Sequence, residues 1–206
     1  MSIQGEQPAD PDESSASRVA RIIDAVAYAA VSLLRSHDVE AEIPDVLRVL
    51  GEAADVSRIY VYQNTKVAGE LADIERFEWV SPGVQPTFES RNESVPYLPD
   101  YERYIRVLGT GGVIAELTED APAPERAWLE RDEVLSSALV PIFDRDSWWG
   151  YIGFDDCWTE RRWASAELSA LRVAAETIGA ALERQALDST LAEMRARLRE
   201  LENPDG

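Results

Sequence analysis

The chain has 206 residues, and 45% of them are hydrophobic, which is ample for one core but too little sequence for two complete domains. Its formal net charge is −19, and almost all of its basic residues are arginines scattered along the chain, so direct binding to a nucleic acid is not expected. No run of about 18 apolar residues occurs, which argues against a membrane partner, and Cys157 is the only cysteine, which excludes an internal disulfide and a cysteine-rich zinc site.

The N-terminus is predicted to be a disordered tail followed by a helix. Residues 1–16 are rich in Ser, Pro, Asp and Glu and have few large apolar groups, so burial would not offset the entropy cost of ordering them. They also lack a secretory signal, and we expect a cytoplasmic protein. Residues 17–37 show helical periodicity, with a wide apolar surface that suits packing against two partners. That surface comprises Val19, Ile22, Val26, Ala29 and Leu33, widened by Ile23, Ala30 and Leu34.

A second helix and a pair of strands come next. Residues 44–54 are predicted to be helical, because the proline at their start suits a first helical turn. Residues 58–63 alternate as a strand does, with Tyr60 and Tyr62 on one face and aliphatic residues on the other. Residues 74–80 alternate in the same way, and the connection between the two segments resembles a turn. We therefore expect a hairpin with a rather long loop.

The middle of the chain, residues 81–135, has the least regular pattern. Four prolines interrupt its first part, after which the sequence predicts a short helix at YERYIRVL, a short strand at GGVIAEL and another short helix at ERAWLERDEV. Long irregular stretches inside a compact domain are uncommon and tend to be binding loops or lids. A ligand site, if the protein has one, is expected here.

The last third of the chain predicts a hairpin and a long helix. Residues 137–143 and 148–155 read as two strands joined by a polar turn, and a helix follows from about Ser165. Beyond its buried stripe, the apolar residues restart a heptad pattern out of step with the first, so residues 186–206 are predicted to leave the domain as a coiled-coil helix and tail. This second pattern consists of Leu187, Leu191, Met194, Leu198 and Leu201.

Two segments carry a family resemblance. SALVPIFDRDSWWGYIGFDDCWTERRWASAELSALRVAAETIGAALERQ resembles the second half of a GAF domain, and IPDVLRVLGEAADVSRIYVYQN resembles the first helix and strand of GAF domains in bacterial and archaeal sensor histidine kinases. The resemblance covers residues 40–185. It implies an α+β, profilin-like fold in which five or six antiparallel strands are flanked by helices. The N- and C-terminal helices would extend toward a coiled coil in a dimer.

Several branches of the family fit this sequence poorly. The Asn-Lys…Phe…Asp-Glu pattern of cyclic-nucleotide-binding GAF domains is absent, and a bilin would need a well-placed thiol, whereas Cys157 follows a predicted strand beside the bulky Trp158. The methionine-sulfoxide reductase branch uses several cysteines. Similar sequences place Ser or Thr where Ala164 stands, so Ser165 is expected to cap the long helix instead. The sequence requires no cofactor and identifies none.

Aromatic residues are the main candidates for a ligand site. Aromatic walls with hydroxyl tips suit a planar or amphipathic small molecule, and the alternative is that they fill the core. The candidates are Tyr60, Tyr62, Trp79, Tyr97, Tyr101, Tyr104 and Trp128. His37 is expected to interact with the last carbonyls of the first helix rather than with a metal. Asp155 and Asp156 should face opposite sides of a strand and anchor turns or cap helices.

The preferred hypothesis is a sensory module in signal transduction. A small molecule or a partner would shift the terminal helices, which would relay the change to a histidine kinase or another output. The chain has no kinase motif, and we expect no enzymatic activity; the alternatives are a ligand-free dimerisation module and an enzyme on the same fold. A homodimer is expected, with an interface made by Val19, Ile22, Val26, Leu33, Leu187, Leu191, Met194 and Leu198.

Overall fold

The computed structural model describes residues 11–87 and 93–202. The five α-helices in this part of the chain are α1 (Pro11–Arg35), α2 (Val39–Ala54), α3 (Glu102–Val107), α4 (Ala123–Arg131) and α5 (Ser165–Glu202). The six strands are β1 (Arg58–Val67), β2 (Glu70–Val80), β3 (Val95–Pro96), β4 (Ile114–Leu117), β5 (Ser136–Asp144) and β6 (Ser147–Asp156). None of these helices is long and apolar enough to cross a membrane.

The strands form one antiparallel sheet in the order β3-β2-β1-β6-β5-β4. Both predicted hairpins are present, β1 with β2 and β5 with β6, and they meet where β1 pairs with β6 at the centre of the sheet. The predicted α+β fold, a sheet of five or six antiparallel strands between helices, is therefore confirmed.

The alternation along the central strands divides the interior into two clusters. On one face, aliphatic side chains such as Ile59, Val61 and Ile152 pack against α1, α2 and α5. On the other face, Tyr60, Tyr62 and Tyr151 pack beneath α3 and the irregular middle of the chain. Each central strand therefore contributes to both clusters, because neighbouring side chains point to opposite faces.

Two predicted helix starts are wrong. The first helix begins at Pro11 and not at residue 17, so the predicted disordered tail is wrong for residues 11–16, while residues 1–10 lie outside the described part. Proline suits the first helical position, where no amide donor is needed. The second helix begins at Val39, five residues before Pro44, because the Asp38 side chain accepts a hydrogen bond from the amide of Ala41 and caps the helix there.

The first helix is also packed differently from the prediction. Ile22, Val26 and Leu33, expected at a dimer interface, are buried in the core of a single chain, and Val19 is half-buried. The reason is that α1 runs beside the first part of α5 in the same direction. Arg18 bonds to Glu167 at one end of this contact, and Arg184 donates to the last carbonyls of α1 at the other.

Candidate functional site

A small cavity of about 50 Å³ lies on the face of the sheet opposite the three long helices. Strands β1, β2 and β6 form its floor, and α3 and α4 with their loops form its walls. Its aromatic lining residues are Tyr60, Tyr62, Tyr97, Tyr101, Tyr104, Trp128 and Tyr151. Its acidic lining residues are Asp73, Glu125, Asp132 and Asp155, and Val95, Leu129 and Val134 complete the lining. We call this space the tyrosine cavity.

The tyrosine hydroxyls on the floor donate to buried carboxylates. The Tyr151 hydroxyl lies 2.8 Å from Oδ2 of Asp73, and the Tyr62 hydroxyl lies 3.0 Å from Oε2 of Glu75. Because hydrogen bonds to charged acceptors are stronger than neutral ones, these contacts fix the ring orientations. The rings of Tyr62 and Tyr151 are stacked, with centroids 5.2 Å apart.

A third tyrosine–carboxylate pair lies at the start of β1. Asp155 accepts hydrogen bonds there from the hydroxyl of Tyr60 at 3.2 Å and from that of Ser137 at 2.8 Å. The buried guanidinium of Arg58 lies 3.4 Å from the other oxygen of Asp155. The Asp155 carboxylate is thus held by groups from β1 and β5, the two strands that pair with β6. This explains how a charged group is accommodated in a position that is only 2% exposed.

Burial keeps Tyr60, Tyr104 and Tyr151 protonated. Desolvation raises the pKa of Tyr60 well above its ordinary value, with the neighbouring Asp155 charge adding to the effect, and it raises the pKa of Tyr104 and Tyr151 in the same way. These side chains therefore act as hydrogen-bond donors and as neutral aromatic surfaces at all ordinary pH values.

The wall of the cavity consists of aromatic rings set at steep angles to one another. Tyr104 meets Tyr151 edge to face with centroids 5.8 Å apart, and Tyr101 meets Trp128 in the same manner at 6.1 Å. Tyr101 and Tyr104, in and beside α3, are tilted by 53° at 5.6 Å. These rings enclose the cavity from several directions, and edge-to-face contacts of this kind are individually favourable.

The acidic side of the wall is held by an arginine. Arg103 on α3 forms ion pairs with Glu116 on β4 and with Glu125 on α4, so it ties the two short helices to the sheet edge. Burial raises the pKa of the Glu125 carboxyl, and the Arg103 charge opposes that shift. Glu125 is only 3% exposed although it lies on a surface helix.

Gly153 on β6 provides the space for the Tyr60 ring. A methyl group at Gly153 would lie 2.1 Å from Cε2 and 2.5 Å from the hydroxyl oxygen of Tyr60, far inside van der Waals contact. A glycine in a strand interior often marks the close approach of another group. The glycine is therefore part of the geometry of the cavity floor.

Six of the seven predicted aromatic residues line the tyrosine cavity, and Trp79 does not. Trp79 lies on the opposite face of the sheet, where it packs against the helical core. The reason is a β-bulge: Val61 pairs with Phe77 whereas Tyr62 pairs with Glu75, so Arg76 is an extra residue in β2. The bulge reverses the alternation, which places Glu75 on the cavity face and Trp79 on the helix face.

Sequence reasoning missed the acidic lining and Tyr151. The period-2 alternation of β6 was a usable signal, since Tyr151, Gly153 and Asp155 share a face in register with Tyr62 and Tyr60. Asp155 was expected to anchor a turn and instead binds across the sheet, while Asp156 does anchor the following turn through the amide of Thr159. No comparable signal exists for Glu125, because its burial depends on how α4 packs.

The remaining candidate residues lie away from the tyrosine cavity. His37 is exposed in the connection after α1, and the carbonyls that it was expected to cap accept hydrogen bonds from Arg184 instead. Cys157 follows β6 and is not among the described residues that line the cavity. Burial raises the pKa of its thiol. Within the described ranges, no three potential ligand residues are grouped closely enough to hold a metal ion.

Comparison with known proteins identifies both a family and a relative. The family model for the GAF domain matches residues 38–182. The methanogenesis regulatory histidine kinase FilI of Methanothrix harundinacea (strain 6Ac) is 39% identical over 181 residues, covering 87% of this chain and 20% of the kinase. The chain therefore spans about a fifth of the length of that relative.

Solved structures with the same fold include two photoreceptor domains. The phycocyanobilin-bound GAF domain from a cyanobacterial phytochrome superposes with a TM-score of 0.68 at 15% identity, over 81% of this chain and 96% of that domain. The blue-light absorbing form of the Thermosynechococcus elongatus PixJ GAF domain superposes with a TM-score of 0.64 at 19% identity, over 80% and 96% of the two chains. At such low identity, the similarity concerns the fold alone.

Proposed function

Because the chain belongs to the GAF domain family, we propose that it is a sensory module that binds a small molecule in the tyrosine cavity and relays its presence through α1 and α5. GAF domains are in general sensory modules without catalytic activity. The arrangement of the sheet supports this proposal most directly, since the strands that form the cavity floor also carry the contacts of the long helices.

The coupling has a short physical path. Tyr62 and Tyr151 face the cavity, and their chain neighbours Val61 and Ile152 are fully buried against the helical cluster. Gly179 of α5 lies against β5, where an added methyl would be 2.9 Å from Ile142. A shift of the floor on ligand binding would therefore be felt by α5, because closely packed interiors transmit displacement.

A histidine kinase is the proposed output. The relative FilI is named as a regulatory histidine kinase, and this chain corresponds to about a fifth of it. We expect α5 to carry the signal, because its last part, residues 187–199, is exposed along its length. The chain itself would contribute no catalysis.

A second copy of the chain is the proposed partner of α5. Its exposed apolar residues share a single 4,3 spacing with two half-buried polar residues, Thr177 and Arg184. We call this row the α5 seam: Val173, Thr177, Ala180, Arg184, Leu187, Leu191, Met194 and Leu198. The seam and the buried stripe lie on different faces of one continuous helix. A sustained heptad row is typical of a coiled coil. Exposed Leu34 of α1, at 72%, lies beside this seam in the groove formed with Ala180.

The proposal is tested by the small molecules that the protein retains. The purified chain is denatured, and the released compounds are identified by mass spectrometry for the wild type, Tyr101→Ala and Gly51→Ala. Tyr101→Ala removes a cavity wall, whereas Gly51→Ala disturbs only the contact with Trp79 on the other face. A compound released by the wild type and Gly51→Ala but not by Tyr101→Ala supports the proposal. The same compounds from all three proteins would contradict it.

A ligand-free dimerisation module is the second candidate. The small volume of the cavity favours it, since binding sites for drug-sized ligands usually reach several hundred Å³. Under this alternative, the tyrosines serve as core, and only the α5 seam is functional. The absence of a retained compound, together with unchanged thermal unfolding in nucleotides, haem and biliverdin, would favour this second candidate.

A further inference from the structure

The charged side chains that line the tyrosine cavity are all acidic. Four carboxylates line it, and no lysine or arginine is among its described lining residues. The nearby arginines stand behind the lining: Arg103 pairs with Glu125, Arg131 lies 3.3 Å from Asp132, and Arg58 lies 3.4 Å from Asp155. The lining itself therefore presents carboxylate oxygens and aromatic rings, and one face of the Trp128 ring already carries the Arg131 guanidinium, 4.6 Å from the ring centroid.

The aromatic lining also favours a positively charged ligand. The face of an aromatic ring carries partial negative charge, and it attracts a cation within about 6 Å of its centre. Tyr104 and Tyr151 present rings at 83° to each other, and Tyr101 and Trp128 at 77°. Several ring faces at steep angles form the kind of enclosure that binds quaternary ammonium groups.

From these two observations we propose that the tyrosine cavity binds a small organic cation of the alkylammonium class. This inference rests on the proposed sensory function and specifies the ligand class of that site. The ammonium group would lie between the rings of Tyr101 and Tyr104, with the Asp73 carboxylate supplying the counter-charge. Anionic ligands such as a cyclic nucleotide or a bilin would bring their charge against these carboxylates, at a desolvation cost that nothing in the lining offsets.

The size of the cavity supports a compact ligand. A volume of about 50 Å³ holds a group of a few non-hydrogen atoms, whereas a linear tetrapyrrole needs a much larger space. Desolvating a compact ammonium ion is tolerable where carboxylates and ring faces replace the lost water. Size and charge therefore point to the same class of ligand.

A matched pair of probes tests the role of charge without changing the protein. Choline and its uncharged carbon isostere 3,3-dimethylbutan-1-ol have nearly the same shape, so only the charge differs. Binding to the full chain is measured by titration calorimetry and by the rise in thermal unfolding temperature. We expect choline to bind at least about tenfold more tightly than the isostere, which is the range expected for a desolvated cation–π contact.

Variants locate the binding to the cavity. Asp73→Asn removes the proposed counter-charge while keeping the shape, and Asp146→Asn removes an equal charge from the exposed β5–β6 turn. Asp73→Asn should weaken choline binding by about tenfold, and Asp146→Asn should leave it unchanged. Equal weakening by both variants would show a general surface effect and overturn the proposal.

The outcomes distinguish this inference from the proposed function. If the isostere binds as tightly as choline, or if biliverdin or cyclic GMP stabilises the protein and choline does not, the cation assignment fails while the sensory function stands. If no probe binds, the cation assignment fails too. The sensory function then fails with it if wild type and Tyr101→Ala also release the same compounds, or if neither releases any.

Discussion

Replacing Gly153 by alanine should displace Tyr60 and disorder the cavity floor. The added methyl would lie 2.1 Å from Cε2 and 2.2 Å from Cζ of a ring that is only 8% exposed, so the ring must move. Overpacking of this kind costs about 1–3 kcal/mol, and losing the Tyr60 hydrogen bond to Asp155 adds to it. We expect a total loss of about 2–4 kcal/mol, or a fall of roughly 5–15 °C in unfolding temperature.

A double-mutant cycle in urea assigns this loss to the Tyr60 ring. If the clash with Tyr60 causes the destabilisation, Gly153→Ala should cost little in a Tyr60→Ala background, and the two changes should be strongly non-additive. Additive losses would refute the reasoning. The matched control is Gly51→Ala, whose methyl would lie 2.1 Å from the Trp79 ring on the other face. This control should lower the free energy of unfolding, although the higher helix propensity of alanine offsets part of the loss. It should leave ligand binding intact.

Three further predictions concern the helices and the acidic wall. Leu191→Glu, at a position 45% exposed in one chain, should shift sedimentation from dimer to monomer without lowering the stability of the core, and an unchanged dimer would contradict the α5 seam. Glu167→Gln should cost about 1–3 kcal/mol in urea unfolding, because it leaves the partly exposed Arg18 without its 2.6 Å partner, and a neutral effect would contradict the assigned role. Burial raises the folded-state pKa of Glu125, so the free energy of unfolding should fall as pH rises through that pKa. Glu125→Gln should lack this part of the fall in urea unfolding measured as a function of pH, and an identical pH slope in the variant would contradict it.

The overall fold could be predicted because local patterns and long-range packing agree. The strand around residues 58–63 alternates cleanly and is followed by a turn, and the strand at residues 148–155 follows a polar turn, so the two hairpin assignments needed no tertiary information. The α5 helix was likewise evident from its two successive rows of apolar residues at helical spacing. Residues 11–16 were assigned to disorder because composition was weighed above the helix-start signal of Pro11.

The candidate site could be predicted only in part, because two features of the structure depend on how strands and helices pack against one another. The bulge at Arg76 turns Trp79 away from the cavity, and the residue types around Arg76 do not predict a bulge. The apolar stripe of α1 was expected at a dimer interface. Ile22 and Leu33 are instead buried in the core, because α2 and α5 of the same chain pack against α1, and the periodicity of one helix does not say which element covers it.

Hydrogen exchange measured along the full chain tests most directly whether occupancy of the tyrosine cavity reaches α5. The probe is whichever of choline, biliverdin or cyclic GMP binds most tightly, added to the wild type and to Tyr101→Ala. We predict slower exchange in α3 and α4 together with altered exchange across residues 173–199, and the loss of both effects in Tyr101→Ala. Protection confined to the cavity, with exchange in α5 unchanged, would contradict the proposed relay.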